Sequence, residues 1–173
     1  MKNIILVGFM GAGKTAVGKA LAGLLKRDFV DLDEKIEKRE GMPIAEIFAK
    51  KGEPYFRKVE KDAVKEMASL YTGVVTGTGG GAVIDKENVV NLKSNGILFY
   101  LDASPAKILE RTKGHTHRPL LNVSDPKEKI SELLAKRAEF YAQADHRIDT
   151  DNLSVDEVAE KIISLLKEDG EIS

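Results

Sequence analysis

The sequence is easiest to interpret from residues 8–15, which read Gly8-Phe9-Met10-Gly11-Ala12-Gly13-Lys14-Thr15. This stretch matches the phosphate-binding pattern G-x-x-x-x-G-K-[ST] at every specified position. An apolar run at 4–7 precedes it, and a helix-forming run at 16–26 follows it. When a strand is followed by a glycine loop and a helix in this way, the backbone N–H groups of the loop and the dipole of the helix both bind a phosphate. The stretch therefore predicts an α/β protein that binds a nucleotide.

The rest of the chain alternates between short apolar runs and amphipathic helical stretches. We predict strands at 3–7, 29–32, 73–76, 97–101 and 146–149, and helices at 14–26, 33–40, 43–50, 55–70, 85–94, 105–111, 127–143 and 154–167. Runs that are apolar at consecutive residues are typical of strands buried on both faces of a parallel sheet. The prediction is a three-layer, doubly wound P-loop fold with a five-stranded parallel sheet, helices on both faces, and ligands at the C-terminal strand ends.

Size and composition narrow the class of protein. A length of 173 residues suits a single domain, and 42% hydrophobic with 32% charged residues is ordinary for a soluble one. The net charge of −1 offers no electrostatic footprint for nucleic acid or a membrane surface. The chain has no cysteine and no apolar run near the length of a membrane span. We expect a cytoplasmic protein, and nothing in the sequence suggests more than a monomer.

Two segments interrupt the plain alternation of strands and helices. One is a helical insertion, about 33–61, which is too long for a simple crossover between the second and third strands. The other is a polar stretch, about 112–125, which contains two histidines, an arginine and a proline. A loop of that length inside a compact domain is usually functional, so we predict that it forms a lid.

Asp31-Leu32-Asp33 closes the second predicted strand. Strand alternation would place both carboxylates on one face at the ligand-binding edge of the sheet. One carboxylate could hold Mg²⁺ and the other could accept a hydrogen bond from a substrate hydroxyl. The alternative is that Asp33 only caps the following helix.

Arg57 and Glu60 lie three residues apart near the start of a predicted helix. Such a spacing places both side chains on one helix face, where they commonly form a surface ion pair. The alternative is that Glu60 holds Arg57 for a bidentate contact with a substrate carboxylate.

Gly79-Gly80-Gly81 follows the third predicted strand. A tight turn needs one or two glycines, and each additional glycine raises the entropy of the unfolded chain. Three in succession favour a backbone that passes close to a ligand and presents its N–H groups to it.

Together these motifs resemble the shikimate kinase family, and the resemblance covers essentially the whole chain. It rests on six motifs in order: residues 8–15, Asp31-Leu32-Asp33, Phe56-Arg57 with Glu60, Gly79-Gly80-Gly81, Arg118-Pro119-Leu120-Leu121, and Arg137 followed by Tyr141. The resemblance implies a nucleoside-monophosphate-kinase-like P-loop fold. It also implies a kinase that transfers the γ-phosphoryl group of ATP to the 3-hydroxyl of shikimate, on the route to chorismate and the aromatic amino acids. The implied partners are ATP and shikimate, with Mg²⁺ as the cofactor.

The resemblance also implies a role for individual residues. The catalytic residues would be Lys14, Asp33 and Arg118, with Asp33 as the general-base candidate. The nucleotide would contact Gly11, Ala12, Gly13, Lys14, Thr15, Ala16, Arg111 and Arg118, with Arg111 against the adenine. Shikimate would contact Asp33, Arg57, Gly79, Gly80, Gly81 and Arg137. Thr15 and Asp31 would organise Mg²⁺.

Two other functions remain open from the residues alone. A related small-molecule kinase acting on gluconate or a nucleoside monophosphate would share the phosphate loop. A nucleotide-dependent switch would share it too, but would have no need of the glycine triplet or of converging arginines. Phosphoryl transfer can also proceed largely by electrostatic alignment, so a true base is not required.

Overall fold

A computed structural model of the chain describes residues 1–112 and 124–172. Its strands are β1 Asn3–Val7, β2 Phe29–Asp31, β3 Val75–Gly77, β4 Gly96–Asp102 and β5 His146–Asp149. Its helices are α1 Lys14–Leu25, α2 Leu32–Glu40, α3 Ile44–Lys51, α4 Glu53–Leu70, α5 Lys86–Ser94, α6 Pro105–Thr112, α7 Pro126–Tyr141 and α8 Val155–Glu168. A short 3-10 helix, Ala82–Ile84, follows the glycine triplet.

The five strands form one parallel sheet in the order β2-β3-β1-β4-β5. The register places Leu6 of β1 beside Gly77 of β3, and Asp31 of β2 beside the same glycine. The ends of β2, β3 and β1 therefore lie next to one another at one edge of the sheet. This arrangement confirms the predicted five-stranded parallel sheet with helices on both faces.

The central strand β1 is buried on both faces, as its unbroken apolar run predicts. Ile4 and Leu6 face a core shared with α1 and α8. Ile5 and Val7 face a second core that includes side chains of α4 and α5. Successive residues of a strand point to opposite faces, so one short run contributes to both cores and makes the fold three-layered.

The helices between β2 and β3 have a small apolar core of their own. It consists of Ile36 from α2, Ile47 from α3, and Phe56, Val59 and Ala63 from α4. Helices α2, α3 and α4 are therefore packed on one another through this cluster.

The second strand is shorter than predicted. It ends at Asp31, and Leu32 already belongs to α2 because the Asp31 carboxylate accepts hydrogen bonds from the backbone N–H groups of Asp33 and Glu34. The prediction that strand alternation aligns Asp31 and Asp33 is therefore wrong. The alternative that Asp33 caps the helix is also wrong, since Asp31 is the cap.

Other differences are small. Strand β3 begins at Val75 instead of residue 73 and continues to Gly77, and the 3-10 helix was not predicted. Within residues 1–112 and 124–172, none of the helices is both long and apolar enough to cross a membrane. The predicted lid lies mostly at 113–123, outside the described residues.

Candidate active site

The phosphate loop turns sharply between β1 and α1. Gly8, Gly11 and Gly13 have φ angles of +151°, +77° and +97°, a region that side-chain-bearing residues rarely adopt. A Cβ atom on Gly8 would also lie 2.6 Å from the Leu101 carbonyl oxygen. Helix α1 begins at Lys14, directly after the loop, so its N-terminal dipole points at the loop's interior. The loop has the backbone geometry of an anion site.

The Lys14 side chain folds back over this loop. Its Nζ atom donates hydrogen bonds to the carbonyl oxygens of Gly8 at 2.7 Å and Phe9 at 2.9 Å. These contacts keep the ammonium group next to the glycine backbone, where it can reach a phosphate bound by the same loop.

Thr15 and Asp31 meet at the start of two helices. The Thr15 hydroxyl donates to Asp31 Oδ2 at 2.9 Å, while Asp31 Oδ1 accepts the Asp33 N–H at 2.9 Å. Hydroxyl and carboxylate oxygens are the ligands that Mg²⁺ prefers. The described part of the chain holds no group of three or more acidic or histidine side chains placed to bind a metal. A metal here would take its remaining ligands from phosphate and water, as Mg²⁺ commonly does.

Asp33 lies in the first turn of α2, half-buried beside the glycine triplet. Burial raises its pKa to about 6; the nearby Lys14 opposes this shift, while the charges of Asp31 and Glu60 add to it. A Cβ atom on Gly79 would lie 2.8 Å from Asp33 Oδ1. The carboxylate is thus packed directly against the backbone of the triplet.

Arg57 contacts the same triplet from α4. Its Nη1 atom donates to Glu60 Oε2 at 2.8 Å, and its Nη2 atom donates to Glu53 Oε1 at 3.2 Å. A Cβ atom on Gly81 would lie 2.7 Å from Arg57 Nη1. Glu60 is only 3% exposed, so its bond to Arg57 is not the surface ion pair that helical spacing alone would suggest.

Glu60 has an unusual second oxygen. Its Oε1 atom is buried and has no hydrogen-bond partner among the described residues. Burial raises the pKa of Glu60, and the charges of Arg57 and Arg137 oppose that shift. Such an unpaired buried oxygen is costly unless a ligand satisfies it. Sequence reasoning assigned Glu60 only the role of holding Arg57, and the three-residue spacing from Arg57 was the signal for that role.

The middle of the triplet is held from α7. The Gly80 carbonyl oxygen accepts a hydrogen bond from the Tyr141 hydroxyl at 2.7 Å and from Arg137 Nη1 at 3.2 Å. The Arg137 guanidinium carbon also lies 5.4 Å from the centre of the Phe9 ring. Arg137 therefore reaches both the glycine triplet and the phosphate loop.

Arg111 lies on the other side of the phosphate loop, near the end of α6. It donates to the Thr150 carbonyl oxygen at 3.0 Å, to the Thr150 hydroxyl at 3.2 Å and to the Ala12 carbonyl oxygen at 3.4 Å. It thus connects the phosphate loop to the turn after β5. Sequence reasoning assigned no role to the Thr150 side chain, which no recognisable motif marks.

The remaining predicted site residues are placed as follows. Gly11, Ala12 and Gly13 lie in the loop, and Thr15 and Ala16 lie exposed in the first turn of α1. Arg118, predicted to be catalytic, lies outside the described residues, as do the residues at 119–123 that follow it in the predicted lid.

The geometry describes two adjoining subsites. One has backbone N–H groups and Lys14 for phosphates. The other has the carboxylate of Asp33 and the guanidinium of Arg57 at the two ends of the glycine triplet. Such a pair of subsites suits the transfer of a phosphoryl group to a small acceptor that carries both hydroxyl and anionic groups.

Comparisons with known sequences agree with this description. The model of one family, described as Shikimate kinase, matches residues 10–167. A shikimate kinase of Thermodesulfovibrio yellowstonii is 53% identical over 163 residues, covering 94% of this chain and 94% of that protein. A shikimate kinase of Pelotomaculum thermopropionicum is 48% identical over 168 residues, covering 97% of each.

Solved structures show the same similarity. Shikimate kinase from Acinetobacter baumannii in complex with shikimate has a TM-score of 0.93 at 40% identity, and the match covers 98% of this chain and 94% of that one. Shikimate kinase from Aquifex aeolicus has a TM-score of 0.81 at 34% identity, and the match covers 99% of both chains.

Proposed function

This chain belongs to the shikimate kinase family, and we propose that it transfers the γ-phosphoryl group of ATP to the 3-hydroxyl group of shikimate. The products would be shikimate 3-phosphate and ADP, on the pathway to chorismate and the aromatic amino acids. One observation carries the proposal: Asp33 and Arg57 pack against the two ends of a glycine triplet whose middle residue lies beside the phosphate loop.

The phosphate loop forms the donor half of the proposed site. Residues 11–16 bind the phosphates of ATP through backbone N–H groups, the Thr15 hydroxyl and the α1 dipole. Lys14 stabilises the negative charge on the transferring phosphoryl group. Its hydrogen bonds to the loop carbonyl oxygens keep the ammonium group close to the phosphate site. Arg118 supplies a second positive charge, and Arg111 lies against the adenine.

The acceptor half binds a carboxylate and several hydroxyl groups. Arg57 and Arg137 bind the carboxylate of shikimate, with Glu60 holding Arg57 in place. The backbone of Gly79, Gly80 and Gly81 lines the pocket because a side chain at these positions would collide with Asp33 or Arg57 or lie tightly against the loop. Asp33 accepts a hydrogen bond from the reacting hydroxyl.

Asp33 is suited to take the proton of that hydroxyl. A carboxylate whose pKa is raised to about 6 is a stronger base than an ordinary aspartate, yet it is still ionised at neutral pH. The Asp33 carboxylate would also align the hydroxyl with the phosphoryl group, which accelerates transfer through a loose transition state even without proton removal. Base catalysis and alignment therefore act through the same residue.

Thr15 and Asp31 fit a magnesium ion, as their hard oxygen donors and 2.9 Å contact indicate. A bound Mg²⁺ would neutralise phosphate charge during transfer.

Three further features belong to the same proposal. Residues of about 33–61 bind the acid, and residues of about 112–125 close over both substrates, because an open site would admit water as a competing nucleophile. The whole chain acts as one domain. We propose that the enzyme works as a cytoplasmic monomer.

The test is release of ADP from ATP and Mg²⁺ with shikimate, gluconate, AMP or no acceptor. Of these four conditions, we expect rapid release of ADP only when shikimate is the acceptor. Faster release with gluconate or AMP would assign a different acceptor, and equal release without acceptor would indicate a nucleotide switch.

Arg57→Ala should raise the KM for shikimate by at least about tenfold while the KM for ATP changes little. Lys58→Ala, at the exposed neighbouring position, serves as the control.

A further inference from the structure

Tyr141 is a buried tyrosine to which the proposed function gives no role. It ends α7, is 1% exposed, and donates its hydroxyl to the Gly80 carbonyl oxygen at 2.7 Å. Its ring stacks on Tyr100, with centroids 4.6 Å apart and planes 4° from parallel. A packed ring of this kind has little freedom, so the hydroxyl has a fixed direction.

The hydrogen bond from Tyr141 determines the orientation of one peptide group. The Gly80 carbonyl and the Gly81 N–H belong to the same planar unit, and the described chain contains no cis peptide bond. In a trans peptide these two groups point in opposite directions. Anchoring the carbonyl to Tyr141 therefore turns the Gly81 N–H away from α7.

The N–H of Gly81 belongs to a buried residue, so leaving it without an acceptor is costly. It has no acceptor among the described residues, although the neighbouring amide of Ala82 bonds to the Gly79 carbonyl oxygen at 3.2 Å. Gly81 also lies against the Arg57 guanidinium, within 2.7 Å of the position that a Cβ atom would occupy. An N–H donor next to a guanidinium suits a carboxylate.

An anchor outside the triplet is necessary because three glycines have little conformational preference of their own. Arg137 also bonds to the Gly80 oxygen, but at a longer 3.2 Å. In the proposed function Arg137 binds substrate, so it cannot serve as a constant anchor. Burial raises the pKa of Tyr141, so the hydroxyl keeps its proton and stays a donor at neutral pH.

We propose that Tyr141 is a positioning residue for the acid substrate: its hydroxyl holds the Gly80–Gly81 peptide so that the Gly81 N–H faces the substrate carboxylate beside Arg57. This inference rests on the proposed function. The inference adds to the acid-binding site a residue that does not touch the substrate. It also means that Tyr141, and not Arg137, orients the triplet.

The test compares Tyr141→Phe with Tyr100→Phe. Both changes remove one hydroxyl and keep the stacked rings, but the Tyr100 hydroxyl donates to Asp102 Oδ1 at 2.8 Å, away from the triplet. In Tyr141→Phe we expect the KM for shikimate to rise about tenfold, while the KM for ATP stays within about twofold of the parent value. Calorimetric titration with shikimate alone should show the same loss of affinity. In Tyr100→Phe we expect both KM values to stay within about twofold.

Several results would overturn the proposal. One is a shikimate KM within about twofold of the parent value in folded Tyr141→Phe. Another is an equal rise for both substrates, or an equal rise in Tyr100→Phe, since a general loss of structure would act in that way. The titrations are made at 10 °C to keep a destabilised variant folded, and a variant still unfolded there would assign Tyr141 a folding role instead. If the parent protein does not phosphorylate shikimate, the proposed function fails, independently of Tyr141.

Discussion

Asp33 is the residue at which activity and stability oppose each other most directly. Its folded-state pKa of about 6 lies above the ordinary value of 3.8, because burial penalises the ionised carboxylate. The folded state therefore binds a proton more tightly than the unfolded state does. Above pH 6 the ionised Asp33 destabilises the fold, and this penalty disappears as the pH falls toward 4. The proposed reaction needs the ionised form that folding disfavours.

The first prediction concerns pH. Since the reacting hydroxyl needs an ionised acceptor, kcat/KM for shikimate should be constant above pH 7 and fall as the pH passes below about 6. The measurement is a rate profile at saturating ATP and Mg²⁺. Glu34→Gln, which changes the exposed neighbouring carboxylate, should leave the profile unchanged. A profile without an inflection between pH 5 and 7 would remove Asp33 from this role.

The second prediction concerns Asp33→Asn. We expect kcat to fall by about 10²- to 10⁴-fold with ATP affinity nearly unchanged, because the acceptor of the hydroxyl proton is lost. At pH 7.5 the free energy of unfolding should rise by about 1–2 kcal/mol, and the gain should shrink toward zero near pH 4. Denaturant unfolding at the two pH values checks this. Parent-like turnover, or a loss of stability at pH 7.5, would contradict the argument.

The third prediction concerns Gly81. A Cβ atom there would lie 2.7 Å from Arg57 Nη1 and would displace the guanidinium from its place against the triplet. Gly81→Ala should therefore raise the KM for shikimate by about tenfold or more and leave the KM for ATP within about twofold. Gly23→Ala, in α1 with open space around the new methyl group, is the matched control. Equal effects of the two changes would show that Gly81 matters only for folding.

Helix α2 shows how one element serves two purposes. Its cap, Asp31, satisfies two backbone N–H groups with Oδ1 and faces Thr15 with Oδ2. Capping places Asp33 in the first helical turn instead of on a strand face. The element that begins the insertion therefore also sets the distance between the proposed metal and base positions.

The fourth prediction separates these two purposes. Asparagine caps helices about as well as aspartate does, but it lacks the charge that a divalent cation requires. Asp31→Asn should keep the free energy of unfolding within about 0.5 kcal/mol, while Asp31→Ala should lose about 1 kcal/mol. Both should raise the Mg²⁺ concentration needed for half-maximal rate. If Asp31→Asn kept the parent's Mg²⁺ dependence, Asp31 would be a cap only.

At the scale of the whole molecule, residues 1–112 and 124–172 offer few surfaces for self-association. Among the described residues, the exposed large apolar side chains belong to five separate parts of the chain: Met1, Leu24, Leu70, Val90 and Val155. The edge strands β2 and β5 are only three and four residues long, and short edge strands resist pairing with another chain.

The fifth prediction is therefore a monomer. Sedimentation equilibrium at neutral pH should give a mass of 19.0 kDa, independent of protein concentration in the micromolar range. Added ATP and shikimate should leave that mass unchanged, because both proposed subsites are complete within one chain. A mass that increases to twice this value with concentration would contradict the prediction.

The sequence by itself determined the architecture and the family. The phosphate loop, the strand runs and the order of motifs depend on local spacing, so they can be recognised without coordinates. Strands β1 and β5 and the start of α1 match their predicted bounds because apolar runs and glycines are local signals. The start of α2 was less predictable, since Asp31 could extend a strand or cap a helix.

Tertiary structure alone decided which groups meet and what charge they carry. The contacts of Tyr141 with Gly80 and of Thr150 with Arg111 join residues far apart in the sequence. The burial of Glu60 and the raised pKa of Asp33 likewise depend on side chains from several elements. Burial and electrostatic interaction depend on distances through space, which the order β2-β3-β1-β4-β5 sets and which no local pattern encodes. The phosphate loop thus predicted a nucleotide site, but folding decided which side chains form the acceptor site beside it.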